Sequence, residues 1–117
     1  MNRAFIFPGQ GSQVVGMGKD FYDNFDEAKS TFKIIDEILN YKLSDIIFNG
    51  SNEELTLTAN TQPALMAVSI AILRVIIKQS KKNTNELSSF VAGHSLGEYS
   101  ALCAAESLSL EDTTKLL

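Results

Sequence analysis

The segment that most constrains the fold of this chain is a short apolar run that meets two closely spaced glycines. Residues 89–92 read SFVA, and Gly93-His94-Ser95-Leu96-Gly97 comes directly after them, before a stretch rich in alanine and leucine. A strand that turns sharply into a helix at G-x-S-x-G forms a nucleophile elbow, in which the glycines permit close backbone packing and the serine hydroxyl is exposed. The pattern predicts a fold of strands and helices, with Ser95 as nucleophile and Gly93 and Gly97 as elbow support.

A second strand is predicted near the N-terminus. The apolar and aromatic run Ala4–Phe7 is stopped by Pro8 and Gly9, which is typical of a buried strand that enters a turn. The turn segment carries glycines at positions 9, 11, 16 and 18. These two strands are the clear candidates for a parallel sheet.

The remaining segments predict helices or loops. Apolar residues at helical spacing, or residues typical of a helix start, predict helices over 26–40, 43–48, 61–79 and from 109 onward, the third opened by Thr61 with Pro63 in its first turn. We expect the last helix to be interrupted at Leu117. The segment 81–86 is predicted to be a polar surface loop.

Composition excludes several classes of protein. The chain has 117 residues, 44% hydrophobic and 21% charged, which favours one packed domain over a disordered or fibrous chain. Its formal net charge is -4, and no dense basic stretch extends beyond Lys78, Lys81 and Lys82, so nucleic-acid binding is disfavoured. A single cysteine, Cys103, excludes an intrachain disulfide and a cysteine-based metal cluster, and it is typical of a reducing compartment. We interpret it as a small buried hydrophobe.

Membrane association is also not expected. The chain passes almost directly from Met1 into a strand, without the basic region and long apolar run of a secretory signal. The apolar stretch from Ala64 to Ile77 contains Arg74 and is shorter than the roughly 18 residues that a membrane span needs. We interpret it as a buried helix.

His94 is the only histidine, and it is next to the predicted nucleophile. A general base must come within roughly 2.6–3.2 Å of the nucleophile's oxygen, whereas adjacent side chains in a sharp turn diverge. We therefore assign His94 a packing or hydrogen-bonding role in the elbow. The base histidine is then expected beyond Leu117, which predicts that the chain is the N-terminal part of a larger enzyme.

Three motifs resemble one known family. They are F-P-G-Q-G-S-Q at 7–13, T-Q-P-A at 61–64 and G-H-S-L-G-E-Y-S-A at 93–101. In their order and spacing they are similar to those of malonyl-CoA:acyl carrier protein transacylases and the acyltransferase domains of fatty acid and polyketide synthases. The resemblance implies an α/β-hydrolase-like large subdomain with a parallel sheet, of which residues 1–117 form an incomplete N-terminal part. A ferredoxin-like small subdomain would follow.

The resemblance also implies roles for individual residues. Ser95 would take a malonyl group from malonyl-CoA and pass it to the phosphopantetheine thiol of acyl carrier protein, with no bound cofactor or metal. The backbone amides of Gln10 and Leu96 would form the oxyanion hole, between glycines that let the Gln10 backbone approach the substrate. Gly9, Gly11 and Gln62 would line the pocket; Gln62 could equally cap its helix, and Glu98 and Tyr99 are interpreted as structural. We expect a β-branched side chain at position 11 to crowd the Gln10 amide.

Some parts of that family's site are not found in this sequence. The arginine that pairs with the malonyl carboxylate would fall beyond Leu117, and neither Arg3 nor Arg74 matches its position. Acyl specificity is thus inferred from motif similarity alone. We expect a cytoplasmic enzyme of fatty acid biosynthesis, a monomer at full length, and we expect residues 1–117 alone to be inactive and to lack a stable cooperative fold.

Two alternatives remain. One is a serine hydrolase or thioesterase that uses the same elbow, and the other is a non-catalytic remnant or interaction module. Esterases commonly take the second oxyanion donor from an H-G-G-G-type loop, which this chain lacks. The P-G-Q-G loop therefore favours the transacylase, although without Ser95 an ordinary turn would explain Gly9-Gln10-Gly11 equally well.

Overall fold

Two short parallel strands determine how the chain is arranged. The computed structural model describes residues 2–117, and its strands are β1 (Ala4–Phe7) and β2 (Phe90–Gly93). Ala4 is paired with Phe90 at one end, and Phe7 with Gly93 at the other. Strand β2 lies one residue later than predicted. Because parallel strands end at the same edge of a sheet, the loop after β1 and the turn after β2 are neighbours.

Eight helices complete the described part of the chain. Two follow β1 closely, four more precede β2, and two follow it. Their bounds are α1 (Lys19–Asn24), α2 (Asp26–Leu39), α3 (Leu43–Asn49), α4 (Asn52–Thr56), α5 (Thr58–Ser80), α6 (Thr84–Leu87), α7 (Gly97–Ala104) and α8 (Leu110–Leu116).

The hydrophobic core lies among the helices. Helix α2 packs along α5, and α7 packs against α5 and both strands. Phe32 and Ile35 from α2, Ile47 from α3 and Met66 from α5 are almost completely buried. Tyr22 and Phe48 pack against Phe32, with the Phe48 ring centroid 5.1 Å from Tyr22 and 5.2 Å from Phe32. This core explains the apolar helical spacing seen in the sequence.

Helix α5 differs from its prediction at the N-terminal end. It begins at Thr58, three residues before the predicted start, because the amides of Asn60 and Thr61 both donate to the carbonyl of Leu57 at 2.8 Å. Pro63 therefore lies inside the helix and not in its first turn. The carbonyl that loses its usual donor belongs to the exposed Ala59, where water can replace the missing hydrogen bond.

The length argument against a membrane span was also wrong. Helix α5 has 23 residues and a mean hydropathy of 1.5 in its most apolar window, so by length and composition it could cross a membrane. However, 56% of that window is buried inside the molecule. Since buried helices of folded proteins pass the same test, the packing against α2 and α7 favours a core helix.

The predicted loop over 81–86 is partly helical. Helix α6 begins after Asn83, whose side chain accepts from the Glu86 amide while the Glu86 carboxylate accepts from the Asn83 amide. This reciprocal pair is a capping box, which satisfies two amides that a helix start leaves free. The prediction failed because four residues are too few to show apolar periodicity.

One face of the sheet is uncovered among residues 2–117. Ile6 is 75% exposed and Phe90 is 67% exposed, on adjacent strands with their neighbours Ala4 and Ala92 also exposed. The opposite face carries Phe7, which is 5% exposed and packs into the core beneath α7. The sheet thus has a buried face that supports the elbow helix and an apolar face in contact with solvent.

Candidate active site

Ser95 lies at the sharp turn between β2 and α7. Its backbone has φ 57°, a left-handed conformation that a residue with a side chain rarely adopts. The Gly97 amide donates to the His94 carbonyl and the Glu98 amide donates to the Ser95 carbonyl, each at 3.0 Å. Such strained backbone persists where surrounding contacts enforce it, and it occurs often at functional sites.

The two flanking glycines enforce this turn. A Cβ atom on Gly93 would lie 1.9 Å from both the carbonyl carbon and the carbonyl oxygen of Gly97. A Cβ atom on Gly97 would lie 2.2 Å from the carbonyl oxygen of Phe7 on the neighbouring strand. Helix α7 therefore starts in direct backbone contact with both strand ends, an approach that only glycine permits.

The loop after β1 packs against the elbow. The His94 amide donates to the Phe7 carbonyl at 3.1 Å, which extends the strand pairing by one residue into the turn. Gly9 is buried, and a Cβ atom there would lie 2.4 Å from the His94 carbonyl oxygen. Gly9 thus allows the P-G-Q-G loop to lie beside the predicted nucleophile.

The amides of Gln10 and Leu96 are among those at this edge of the sheet that have no acceptor among residues 2–117. The amide of Gly11, the residue after Gln10, is not free, because it donates to the Gln13 side chain at 2.7 Å. Leu96 precedes the first residue of α7, and its side chain is only 4% exposed, so its backbone is held firmly. Free amides and the positive end of a helix dipole both favour a negatively charged oxygen at this position.

His94 is exposed, and its imidazole faces Gly9. Its Nδ1 atom lies 3.0 Å from the position that a Gly9 Cβ would occupy. The ring is thus in contact with the loop after β1, as a residue that supports the elbow would be. No hydrogen bond of the His94 side chain to Ser95 occurs in the described chain, and its role stays a prediction.

The first turns of α5 form a third side of this region. The Gln10 side-chain amide donates to the Thr58 hydroxyl at 3.4 Å. Gln62, one helical turn after Thr58, shares its face of the helix and is half-buried. The capping alternative for Gln62 is wrong, since α5 starts four residues earlier. No sequence pattern pointed to Thr58, because its contact with Gln10 joins residues 48 positions apart.

Gly11 is exposed in the loop after β1. At Gly11 a Cβ atom would meet nothing within 4 Å other than its two chain neighbours, so the expected crowding of the Gln10 amide stays a prediction. The backbone of Gly11 is constrained by its φ of 112°, which a residue with a side chain rarely adopts.

Cys103 is partly buried, and burial raises the pKa of its thiol, while Thr113 and Arg74 oppose that change.

Metal chemistry has no visible ligand set. No group of three or more His, Cys, Asp or Glu side chains that could hold a metal ion occurs in the part of the chain from residue 2 onward. The described residues do place a serine hydroxyl in the same region as free backbone amides, an arrangement that suits nucleophilic catalysis by serine.

Strand β2, the strained serine and helix α7 together define an α/β protein with a nucleophile elbow. The sequence model of the acyl transferase domain matches residues 4–117. The chain therefore belongs to the acyl transferase domain family, and both the family resemblance and the α/β prediction are confirmed.

Individual relatives are similar over nearly the whole chain. The malonyl CoA-acyl carrier protein transacylase of Bacillus subtilis is 54% identical over 109 residues, which are 93% of this chain and 33% of the relative. An acyl-carrier-protein-S-malonyltransferase crystal structure from Bartonella henselae is 58% identical, with a TM-score of 0.94 over 99% of this chain and 37% of that protein.

A third relative was solved with a partner. It is a malonyl-transacylase in complex with a type II PKS acyl carrier protein, 42% identical, with a TM-score of 0.89 over 99% of this chain and 36% of that one. The chain spans about a third of the length of the relatives that it matches. That residues 1–117 form an incomplete N-terminal part of the large subdomain stays a prediction.

Proposed function

We propose that this chain supplies the nucleophile and the oxyanion-binding amides of a malonyl-CoA:acyl carrier protein transacylase. The observation that carries the proposal is the left-handed turn at Ser95, next to the free amides of Gln10 and Leu96. Relatives named for this activity, at up to 58% identity, support the choice of donor and acceptor.

In the first half-reaction the Ser95 hydroxyl oxygen attacks the thioester carbonyl of malonyl-CoA. The hydroxyl proton passes to a general base, for which the family resemblance implies a histidine outside residues 1–117. The carbonyl oxygen becomes negatively charged and accepts from the Gln10 and Leu96 amides, a type of stabilisation worth about 3 kcal/mol for each donor. The carbon–sulfur bond then breaks, and coenzyme A leaves with the proton as a free thiol.

In the second half-reaction the acyl group leaves the enzyme by the same route. The phosphopantetheine thiol of acyl carrier protein gives its proton to the base and attacks the Ser95 ester. The ester carbon–oxygen bond breaks, and the serine oxygen recovers the proton. A covalent intermediate divides the transfer into two steps with separate substrates, which gives ping-pong kinetics.

The same proposal extends to the partner, the cofactor requirement and the cellular location of the enzyme. Acyl carrier protein is the proposed partner, supported by the relative solved with such a protein. No cofactor is required, because malonyl-CoA is a substrate and the partner carries its own phosphopantetheine. A cytoplasmic monomer in fatty acid biosynthesis is the setting that we propose.

A direct test compares acceptors for the acyl group in the full-length protein that contains this chain. The enzyme acylated at Ser95 is isolated and mixed with acyl carrier protein that carries phosphopantetheine, or with the same protein lacking it. We expect rapid transfer only to the thiol-bearing form and slow loss to water. Equal rates of deacylation in both mixtures would identify a hydrolase and contradict the proposal.

A further inference from the structure

The loop that carries Gln10 has few restraints of its own. Within it, the Ser12 amide donates to the Gly9 carbonyl at 3.4 Å, and the Gly11 amide donates to the Gln13 side chain at 2.7 Å. Across residues 8–13, the Thr58 hydroxyl is the only group from elsewhere in the described chain that forms a hydrogen bond with the loop. It therefore provides the tertiary hydrogen bond that bears on the direction of Gln10, in addition to the packing of Gly9 against the His94 carbonyl.

Thr58 is well suited to act as a restraint because its helix start is firmly held. The Thr61 hydroxyl, which is fully buried, donates to the Leu55 carbonyl. The Asn60 side chain donates to the Glu54 carbonyl at 2.9 Å, so two side chains of the first turn of α5 are fixed to α4. A hydroxyl carried on such a turn has a defined position relative to α4.

We propose that Thr58 is a positioning residue that holds the Gln10 carboxamide and thereby keeps the Gln10 backbone amide directed at the oxyanion. The inference rests on the proposed function, since the oxyanion is that of the Ser95 acyl transfer. Thr58 touches no reacting atom. Its loss should affect the transition state more than substrate binding, because the Gln10 amide acts on the charge that develops during reaction.

The test uses three substitutions in the full-length protein. Thr58→Val removes the hydroxyl with little change of shape, Thr58→Ser retains it, and Thr56→Val makes the same chemical change at an exposed threonine in α4. We expect the Thr58→Val acylation rate with malonyl-CoA to fall about fivefold, with KM within about twofold of wild type, as for a modest hydrogen bond. Thr58→Ser should recover most of the rate, and Thr56→Val should match wild type.

A double-mutant cycle assigns the effect to Gln10. If Thr58 acts through the Gln10 side chain, Gln10→Ala should already remove the interaction, and adding Thr58→Val should lower the rate little further. Independent, multiplicative losses in the double variant would overturn the proposal. A normal acylation rate in Thr58→Val would also overturn it.

Hydrogen–deuterium exchange separates this inference from the proposed function. Peptides that cover residues 8–13 should exchange faster in Thr58→Val than in Thr56→Val, since the loop has lost its hydrogen bond to Thr58. Unchanged exchange would overturn the positioning role even if Ser95 is acylated normally. Failure of wild type to form any Ser95 ester would overturn the proposed function, whereas faster exchange would still support the contact between Thr58 and Gln10.

Discussion

The Cβ atom that Gly93 lacks would lie 1.9 Å from the carbonyl carbon of Gly97. No ordinary non-bonded contact is this short, so the strand and the helix on either side of Ser95 are in direct contact through their backbone atoms. Ser95 lies between these two glycines, and its backbone has a left-handed conformation with φ 57°. Exposure of the hydroxyl is thus a consequence of how closely α7 approaches β2.

This contact predicts a large loss of stability for Gly93→Ala in the full-length protein. The added methyl group must displace backbone on both sides, which we expect to lower the free energy of unfolding by about 3 kcal/mol or more. Gly16→Ala is the matched control: its φ is 92°, but a Cβ atom there meets nothing within 4 Å. Backbone strain alone should lower the free energy of unfolding of Gly16→Ala by about 1 kcal/mol. Urea unfolding compares the two, and equal losses would contradict the backbone contact.

Gly11→Val tests the loop at a position where a Cβ atom meets nothing beyond its chain neighbours. The open space around Gly11 leaves the fold intact, while its φ of 112° forces the valine variant to change the loop backbone next to Gln10. We expect turnover with malonyl-CoA to fall about tenfold or more, as for a misdirected oxyanion donor. The measurement is steady-state transfer, with thermal unfolding as the check on folding. Turnover as high as that of Gly16→Ala would indicate that the loop is an ordinary turn with no role in catalysis.

The sequence predicted the strand, turn and helix around Ser95 better than it predicted the more distant elements. The strand, the tight turn and the helix around Ser95 follow from local chemistry, because glycine spacing and an apolar run act within a few residues. The same holds for the helix start at Ser109, whose hydroxyl accepts from the Asp112 amide at 3.0 Å. What a few adjacent residues determine can be found from those residues alone.

Other features depend on distant contacts or on very short elements. Helix α1 has six residues, none of them buried, so it carries no periodic signal. Helix α4 did have a signal, since Ser51 followed by Glu54 is a capping pattern and the Glu54 amide donates to Ser51 at 3.0 Å. The role inferred for Thr58 could not have been found in this way, because it requires the tertiary structure to bring α5 to the loop.

The uncovered sheet face predicts self-association when residues 1–117 are produced alone. Ile6 and Phe90 present a contiguous apolar surface of the kind that is rarely exposed in soluble monomers. Replacing both with threonine, which retains strand preference, should reduce self-association in sedimentation velocity experiments. Leu57→Thr, at a position outside the sheet that is 61% exposed, should have little effect. A monomeric parent chain would contradict this expectation.

The account depends above all on a malonyl ester at Ser95. Intact-mass measurement of the full-length protein after brief mixing with malonyl-CoA should show one added malonyl group, and peptide mapping should place it on Ser95. Ser95→Ala should remain unmodified. Ser100→Ala is the matched control: this serine of α7 is 1% exposed and its hydroxyl has no partner among residues 2–117, so the variant should be acylated as wild type is. An acyl group acquired by Ser95→Ala, or none acquired by wild type, would contradict the assignment.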